Sequence, residues 1–529
     1  MTRKFPVPIW LVVALAALFF VNLGGFLLFD HDEGAFSEAT RGMFERGDFI
    51  TTYLNDRVRF DKPILIYWLQ AAATFLFGFE LWAFRLPSAL AGMAWALTVY
   101  FFVRRYRDES TAVIAALMIG TALGINAISH AATADGVLNA ILAATILCIY
   151  RYSQNPSSAL LYGIYALMAF GVLTKGPVAV VIPLLVAIPF YLLSNLREPL
   201  MRALFFFPGW ALFVVIAAPW YILEYLDQGQ DFIDGFILKH NVERFKDTLE
   251  NHGGGPLYYP LVLPFVLAPF GALLIRILPS LTRSIRQWRD GNHSDEVLLD
   301  RLLWIWFLVV LILFSIASTK LPHYILYGVT PLIILMARYR DWLQSRWFAA
   351  LFPALFYALL TALPLLTPLI EQQLTNPIEI ATAQRAAEYF NNTFAIIALV
   401  IGLCSVALIF WRRLRIWQSL ILVGGLQILF VWLILVPAAS EAQQRPVWNA
   451  AQFAKMLDEP IYTQSIDMPS FNVYYGKATI RRPLNVGEVG FARADRVRYP
   501  HYDVLFQDGP IVIIRRLDAP MEGNHDDSE

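Results

Sequence analysis

Five groups of residues carry side chains suited to acid–base, metal or phosphate chemistry. The first, Asp30-His31-Asp32-Glu33, follows the first long apolar run directly. Carboxylates and an imidazole are costly beside lipid, so this group should face water or a partner. A general base, a metal site and a solvated loop all fit it, because Asp-x-Asp spacing is short and recurs by chance. The second group, Arg59-Phe60-Asp61-Lys62-Pro63, places cations where Pro63 favours an extended stretch or a helix start. Arg59 and Lys62 could neutralise a phosphate at a membrane surface, or Lys62 could snorkel from an interface. The third is Thr174-Lys175-Gly176-Pro177 and the fourth Ser318-Thr319-Lys320-Leu321-Pro322-His323-Tyr324. The fifth is Lys239-His240 with Arg244, followed by His252 and Tyr258-Tyr259. Asp135, after His130, opens a further apolar run. A lone His130 or His323 is more often a hydrogen-bonded loop residue than a ligand.

The elements that must position these groups are membrane spans. The 529 residues are 58% hydrophobic and 16% charged, with mean hydropathy +0.54. Soluble domains keep about 25% charged residues, so the solvent of most of this chain is lipid. The formal net charge is zero, which gives no reason to expect nucleic acid. Cys148 and Cys404 both lie in apolar runs and read as core residues, not as a disulfide or a thiolate metal site. Thirteen runs qualify as spans: 8–29, 82–103, 111–128, 133–150, 158–173, 176–193, 203–226, 257–277, 302–317, 323–337, 347–367, 393–411 and 416–436. The first follows Arg3 and Lys4, and no small-residue cleavage site ends it, so it reads as a retained span.

Basic residues set the expected orientation. With the N-terminus cytoplasmic, inside loops hold Arg104, Arg105 and Arg107; Arg197 and Arg202; Arg283, Arg286 and Arg289; Arg338 and Arg340; and Arg412, Arg413 and Arg415. The short outside loops hold only Lys175, Lys320 and Arg385. A lone outer lysine runs against this bias and should have an anionic partner. Residues 30–81 and 227–256 are the two long outer loops, and 64–77 reads as an interfacial helix. The domains are then 1–436, a transmembrane unit, and 437–529, a small outer α/β domain with an acidic, disordered tail from Glu522. Ile461–Tyr462, Val473–Tyr475, Val504–Phe506 and Ile511–Ile514 are its candidate strands, around Ser470–Tyr474 as a candidate helix start. All five reactive groups fall on one side of the membrane, as one cavity near the outer leaflet requires. A secondary transporter would show inverted repeats and mid-membrane charges, and neither is evident here. A non-catalytic protein of envelope glycan assembly is the other alternative.

The motifs Asp32-Glu33-Gly34-Ala35-Phe36-Ser37-Glu38, Gly47-Asp48-Phe49, Phe60-Asp61-Lys62-Pro63 with Tyr67-Trp68, and Arg85-Leu86-Pro87-Ser88 resemble the first outer loop of the lipid A aminoarabinose transferases. The likeness continues through Lys175-Gly176-Pro177, His252 with Gly255-Pro256, Tyr258-Tyr259-Pro260 and Lys320-Leu321-Pro322-His323-Tyr324. These enzymes belong with the protein O-mannosyltransferases in the C class of glycosyltransferase folds. The resemblance implies an all-α polytopic membrane protein of that class in a bacterial inner membrane, with a small periplasmic α/β domain. It implies transfer of a sugar, such as aminoarabinose or a hexose, from a polyprenyl (undecaprenyl) monophosphate. The acceptor would be lipid A, a glycan or a protein at the periplasmic face. Asp32 then corresponds to the catalytic loop carboxylate, with Glu33 and Asp135 as further acidic candidates. Lys62 corresponds to the lysine on the donor phosphate, with Arg59, Lys175, Arg244 and Lys320 as further cations. His252, Tyr258, Tyr259, His323 and Tyr324 are candidate substrate contacts. Asp61 corresponds to an acidic metal ligand, with His240 as a second candidate, so a divalent metal is the one cofactor implied. The sequence departs from the pattern in having Asp61 for Glu, Arg59 for Tyr, and Gly34-Ala35-Phe36 for a Thr-Arg-Tyr type of segment.

Overall fold

The computed structural model describes residues 7–236, 254–290 and 294–518. All thirteen apolar runs fall on helical segments, but not all as one continuous helix. Among the described residues, seven helices are long and apolar enough to cross a membrane, or up to nine if each bent pair is one span. The seven include Leu81–Tyr106, Asp135–Gln154, Ser158–Lys175 and Asp295–Ile316. One bent pair is Glu109–Thr121 with Leu123–His130, turned by 61°. Four runs are shorter or broken. Ile9–Phe20 and Val178–Leu193 are 12 and 16 residues long. The run from 257 divides into Tyr258–Val266 and Gly271–Ile277, and the run from 323 begins as the 3₁₀ segment Pro322–Gly328 before Val329–Arg338. Hydropathy counts apolar residues whatever the backbone does. Pro269, Gly271 and Pro322 interrupt the helical hydrogen bonding without lowering the apolar content. The chain is a multi-pass membrane protein.

Two compact units emerge. The first comprises residues 1–25, 60–362 and 393–436. Its interior is one apolar cluster that includes Leu15, Trp95, Ile119, Leu142, Trp306 and Leu332. Polar caps start helices where the chain leaves apolar surroundings. Asp108 accepts from Thr111 N at 2.8 Å, and Ser157 accepts from Leu160 N. The helix Leu65–Phe77, read as interfacial, turns Tyr67 and Gln70 inward and leaves Phe75 and Leu76 exposed.

The second unit comprises residues 26–59, 363–392 and 437–529. It therefore takes in the Asp30–Glu33 group and the Asp32–Glu38 and Gly47–Phe49 motifs as well as the tail. Its five-stranded sheet has the order Ile480–Arg481, Ile461–Gln464, Val489–Arg493, Ile511–Arg516, Tyr502–Asp508. The first two pairings are parallel and the last two antiparallel. The expected strand at Val473–Tyr475 is instead the end of the helix Ser470–Tyr475, closed by Gly476 in the left-handed conformation. Val489–Arg493 shows no alternation because every residue in it is buried.

The helix Glu33–Arg46 lies against Ser470–Tyr475, and Gly34 is where they touch. A Cβ on Gly34 would stand 2.8 Å from the Ser470 backbone nitrogen and 2.5 Å from Asp30 Oδ1, whereas one on Gly42 would meet nothing within 4 Å. Gly34→Ala should therefore destabilise by about 1–3 kcal/mol through overpacking. Gly42→Ala in the same helix should be neutral or stabilise by about 0.5–1 kcal/mol through backbone entropy. Thermal unfolding of the two purified variants checks the contrast, and equal melting temperatures would refute the close approach.

Candidate active site

In the first unit, Asp135 and Lys175 meet across two helix ends. Asp135 opens the helix Asp135–Gln154 and Lys175 closes Ser158–Lys175, where Gly176 at φ 76° ends the helix. A carboxylate at an N-terminus and an ammonium at a C-terminus each complement the helix dipole. Lys175 Nζ donates to Asp135 Oδ1 at 2.6 Å, and the two side chains are only 12% and 13% exposed. Tyr327 Oη donates to the same oxygen at 3.1 Å. Lys175 also lies 5.6 and 5.7 Å from the ring centroids of Tyr324 and Tyr327. Both rings reach it because Pro322–Gly328 is 3₁₀, where residues three apart stand one above the other. His323 Nε2 is 3.9 Å from Asp135 Oδ1, and Lys62 adds to the positive field there.

The loop before Asp135 is fixed by Gln70 and by Ser88 of the Arg85–Ser88 motif. Gln70 donates to the carbonyls of Phe84 and Ala132 at 3.1 and 3.2 Å. Ser88 donates to Thr133 O at 3.1 Å, and fully buried Arg85 holds Leu23 O at 2.7 Å. Gly136 admits the Ile128 carbonyl, which would lie 3.0 Å from a Cβ. Arg85 and Ser88 thus act as scaffolding: one ties down the end of the first apolar run, the other the approach to Asp135.

The remaining candidates separate. Lys62 Nζ donates to Asp61 Oδ1 at 3.1 Å and to Asp61 O at 3.0 Å. Lys320, expected to face an anion, instead caps the helix Asp295–Ile316. Its Nζ donates to Ser315 O at 2.7 Å and Ala317 O at 2.9 Å, and it is 5% exposed. A lysine at a helix C-terminus satisfies carbonyls that have no partner within the helix. Tyr259 is fully buried and donates to Leu321 O at 3.3 Å, with Tyr258 packed edge-on against it at 5.0 Å. Lys239, His240, Arg244 and His252 lie outside the described residues.

The other acidic candidates belong to the second unit. Asp32 is exposed and precedes the helix Glu33–Arg46 without a side-chain cap bond. Glu33 is buried and accepts from Phe29 N at 3.2 Å. Asp30 accepts from Ser470 N at 2.8 Å and Ser470 Oγ at 2.5 Å. Burial pushes its carboxyl up to about 6, against the pull of these two hydrogen bonds. Arg59 stacks on Phe36 at 4.9 Å and pairs its backbone with Thr52. Asn55 and Asp56, at φ 50° and 64°, turn the hairpin that carries it. Among the described residues, no group of three His, Cys, Asp or Glu could hold a metal ion. Asp61 is engaged by Lys62, so no step is assigned to a metal here.

Sequence reasoning missed Tyr327. Its one signal was a position three residues after Tyr324 in a Pro-initiated segment. It also missed Ser470 as the partner of Asp30, for which a sequence separation of 440 leaves no local trace.

If Asp135 serves to hold Lys175, its loss leaves a buried ammonium without a counterion, which typically costs about 3–5 kcal/mol. Asp135→Asn should lower the melting temperature markedly, and adding Lys175→Met should recover part of the loss. A double variant as unstable as the sum of the singles would refute the coupling.

Residues 61–223 match the family described as dolichyl-phosphate-mannose-protein mannosyltransferase. Over 338 residues the chain is 29% identical to the undecaprenyl phosphate-alpha-4-amino-4-deoxy-L-arabinose arabinosyl transferase of Yersinia enterocolitica, covering 62% of this chain and 58% of that one. It is 28% identical over 332 residues to an uncharacterised protein of Aquifex aeolicus, covering 62% of this chain and 72% of that one. In three dimensions it resembles ArnT of Cupriavidus metallidurans bound to undecaprenyl phosphate, with TM-score 0.78, 19% identity and coverage of 96% and 97%. The likeness read from the motifs holds at the level of the superfamily: the chain has the polytopic C-class fold seen in ArnT, and its sequence is similar to the aminoarabinose transferases and, over residues 61–223, to the protein mannosyltransferase family.

Proposed function

We propose that this protein is an inner-membrane glycosyltransferase that moves a sugar from undecaprenyl monophosphate to an envelope acceptor at the periplasmic face. One observation carries the reading. The family match spans Lys62, Asp135 and Lys175, and these residues lie in one unit, where Lys175 is held by Asp135 across two helix ends and Lys62 acts on the same carboxylate electrostatically. A prenyl phosphate leaving group develops negative charge as its bond to the sugar breaks. Preorganised cations in a poorly solvated site stabilise that charge.

In the proposed reaction an acceptor oxygen bonds to the anomeric carbon while the carbon–oxygen bond to phosphate breaks. The bonding electrons leave on the phosphate oxygen, and the anomeric centre inverts. Lys62 and Lys175 oppose the charge on the departing phosphate, with Asp135 as the positioning residue for Lys175. Asp32 accepts the proton of a hydroxyl acceptor. If the acceptor is an ionised lipid phosphate there is no such proton, and Asp32 stabilises positive charge developing on the sugar. Aminoarabinose and lipid A are the sugar and acceptor that the named relatives suggest.

Lys62→Ala should weaken undecaprenyl phosphate binding, with a smaller difference at high salt. Asp32→Asn should keep that binding and lower turnover by about 100- to 10,000-fold. Binding by a fluorescent prenyl phosphate and transfer measured by mass spectrometry of envelope lipids check the two roles separately. Unchanged affinity in the first variant, or near-native transfer in a folded second variant, would overturn the corresponding role. The proposed orientation has its own test. A phosphatase reporter fused near Asn485 should be active and one near Arg286 silent, and the reverse would invert the topology.

A further inference from the structure

The helix Asp295–Ile316 has Lys320 at its last turn and a separate polar cavity at its first. The separation along its axis is about 30 Å at 1.5 Å per residue. The same distinction holds for Asp135–Gln154, which begins at the Asp135 cluster and near its other end has Tyr150 donating to Asp295 O at 3.0 Å. The cavity, about 340 Å³, is lined by Arg107, Arg283 and Arg338 together with Glu296, Asp300 and Tyr339.

Its two carboxylates are already engaged. Arg338 pairs with Asp300 and, at 3.0 Å, with Glu296, while Arg107 Nη1 pairs with Glu296 at 2.6 Å. Tyr339 donates to Asp300. What remains is donor capacity. Arg107 Nε and Nη2 are buried without a partner among the described residues, and a buried guanidinium donor left unmatched is costly. Arg283 lies 4.9 Å over the Trp342 ring and makes no ion pair among the described residues. Arginine forks match phosphate oxygens in geometry as well as charge.

The surroundings are those of a lipid surface. The helix Pro279–Arg289 turns Ser280 and Ser284 inward, with Trp304 Nε1 donating to Ser280 Oγ at 3.1 Å. It leaves Ile285 and Trp288 exposed beside Arg283, Arg286 and Arg289. Exposed apolar residues interleaved with basic ones mark a helix lying in a headgroup layer. Trp342, under Arg283, also lines an adjoining groove of about 600 Å³ with Ile275, Pro279 and Phe348, and with Arg276 and Gln344. A cationic cavity thus adjoins a groove lined by Ile275, Pro279, Trp342 and Phe348 on its apolar side and by Arg276 and Gln344 on its polar side.

We propose that this is a binding site for an anionic phospholipid, its phosphate held by Arg107 and Arg283 and an acyl chain in the groove. It lies on the membrane face opposite the Asp135 cluster and is independent of the sugar-transfer reading. The groove favours a lipid over free phosphate, since inorganic phosphate would leave it without an apolar occupant. The test is native mass spectrometry of the delipidated full chain titrated with phosphatidylglycerol, phosphatidylcholine or inorganic phosphate. Arg283→Ala keeps the Arg338–Asp300 lock and should lower phosphatidylglycerol affinity about fivefold, the typical effect of one basic group at an anionic surface. Arg412→Ala removes the same charge from another exposed loop and should change nothing. Arg283→Gln serves as a second variant, with the melting temperature as the check on folding. Equal losses in Arg283→Ala and Arg412→Ala, unchanged affinity in both Arg283 variants, equal affinity for phosphatidylcholine, or displacement by inorganic phosphate would each overturn the proposal.

Discussion

The Asp135–Lys175 pair organises the first unit because it solves a problem that lipid imposes. A charge removed from water needs a partner fixed close by, and a helix end needs something to complement its dipole. Joining the start of one span to the end of another meets both demands with two side chains. The surrounding sequence serves that junction. Gln70 and Ser88 hold the loop ahead of Asp135, Gly136 lets the Ile128 carbonyl approach, and the 3₁₀ turn brings Tyr324 and Tyr327 over the ammonium.

The second unit relies on the same physics. Arg41 grips Glu38 through two hydrogen bonds, at 2.7 and 2.9 Å, and reaches Glu45 at 2.9 Å and the Gly476 carbonyl at 3.3 Å. Burial raises the Glu38 carboxyl, and the facing guanidinium opposes that rise. Asn472 continues the chain of contacts to Asn55 and Thr479, and Thr479 to Thr463 in the sheet. Such a network specifies one arrangement because any shift strands a buried polar atom. It explains why the helix Glu33–Arg46 is polar in sequence yet mostly buried.

What the sequence made legible follows from whether a contact leaves a local trace. Apolar runs announced the helices, and the scarcity of outer cations flagged Lys175, whose carboxylate partner was expected from that anomaly. Lys320 carried the same flag, but backbone carbonyls have no sequence signature, so its capping role was hidden. Helix breaks at Pro269 and Pro322 were masked by unbroken hydropathy. Val489–Arg493 escaped because a strand buried on both faces loses its alternation, and Gly490 at its centre weakens the propensity signal. Residues 26–59 could not be grouped with the tail, since the bond that joins Asp30 to Ser470 closes a gap of 440 residues.

Lys320, Lys175 and Lys62, the lysines of the first unit among the described residues, also differ in what releasing them would cost. Lys320 answers carbonyls at a helix end, and its departure would leave buried acceptors unmatched. Lys175 answers a carboxylate that Tyr327 also holds, so its departure would leave a largely buried anion with one neutral donor. Lys62 is bound to the side chain and carbonyl of the residue next to it in the chain, and Asp61 is the most exposed acid in these pairings, at 27%. A partner that can turn toward water loses least when its lysine turns away. The comparison makes Lys175 a cation fixed in place by its carboxylate and Lys320 part of the frame. A cation that is to stabilise a departing phosphate must already be in place when negative charge develops.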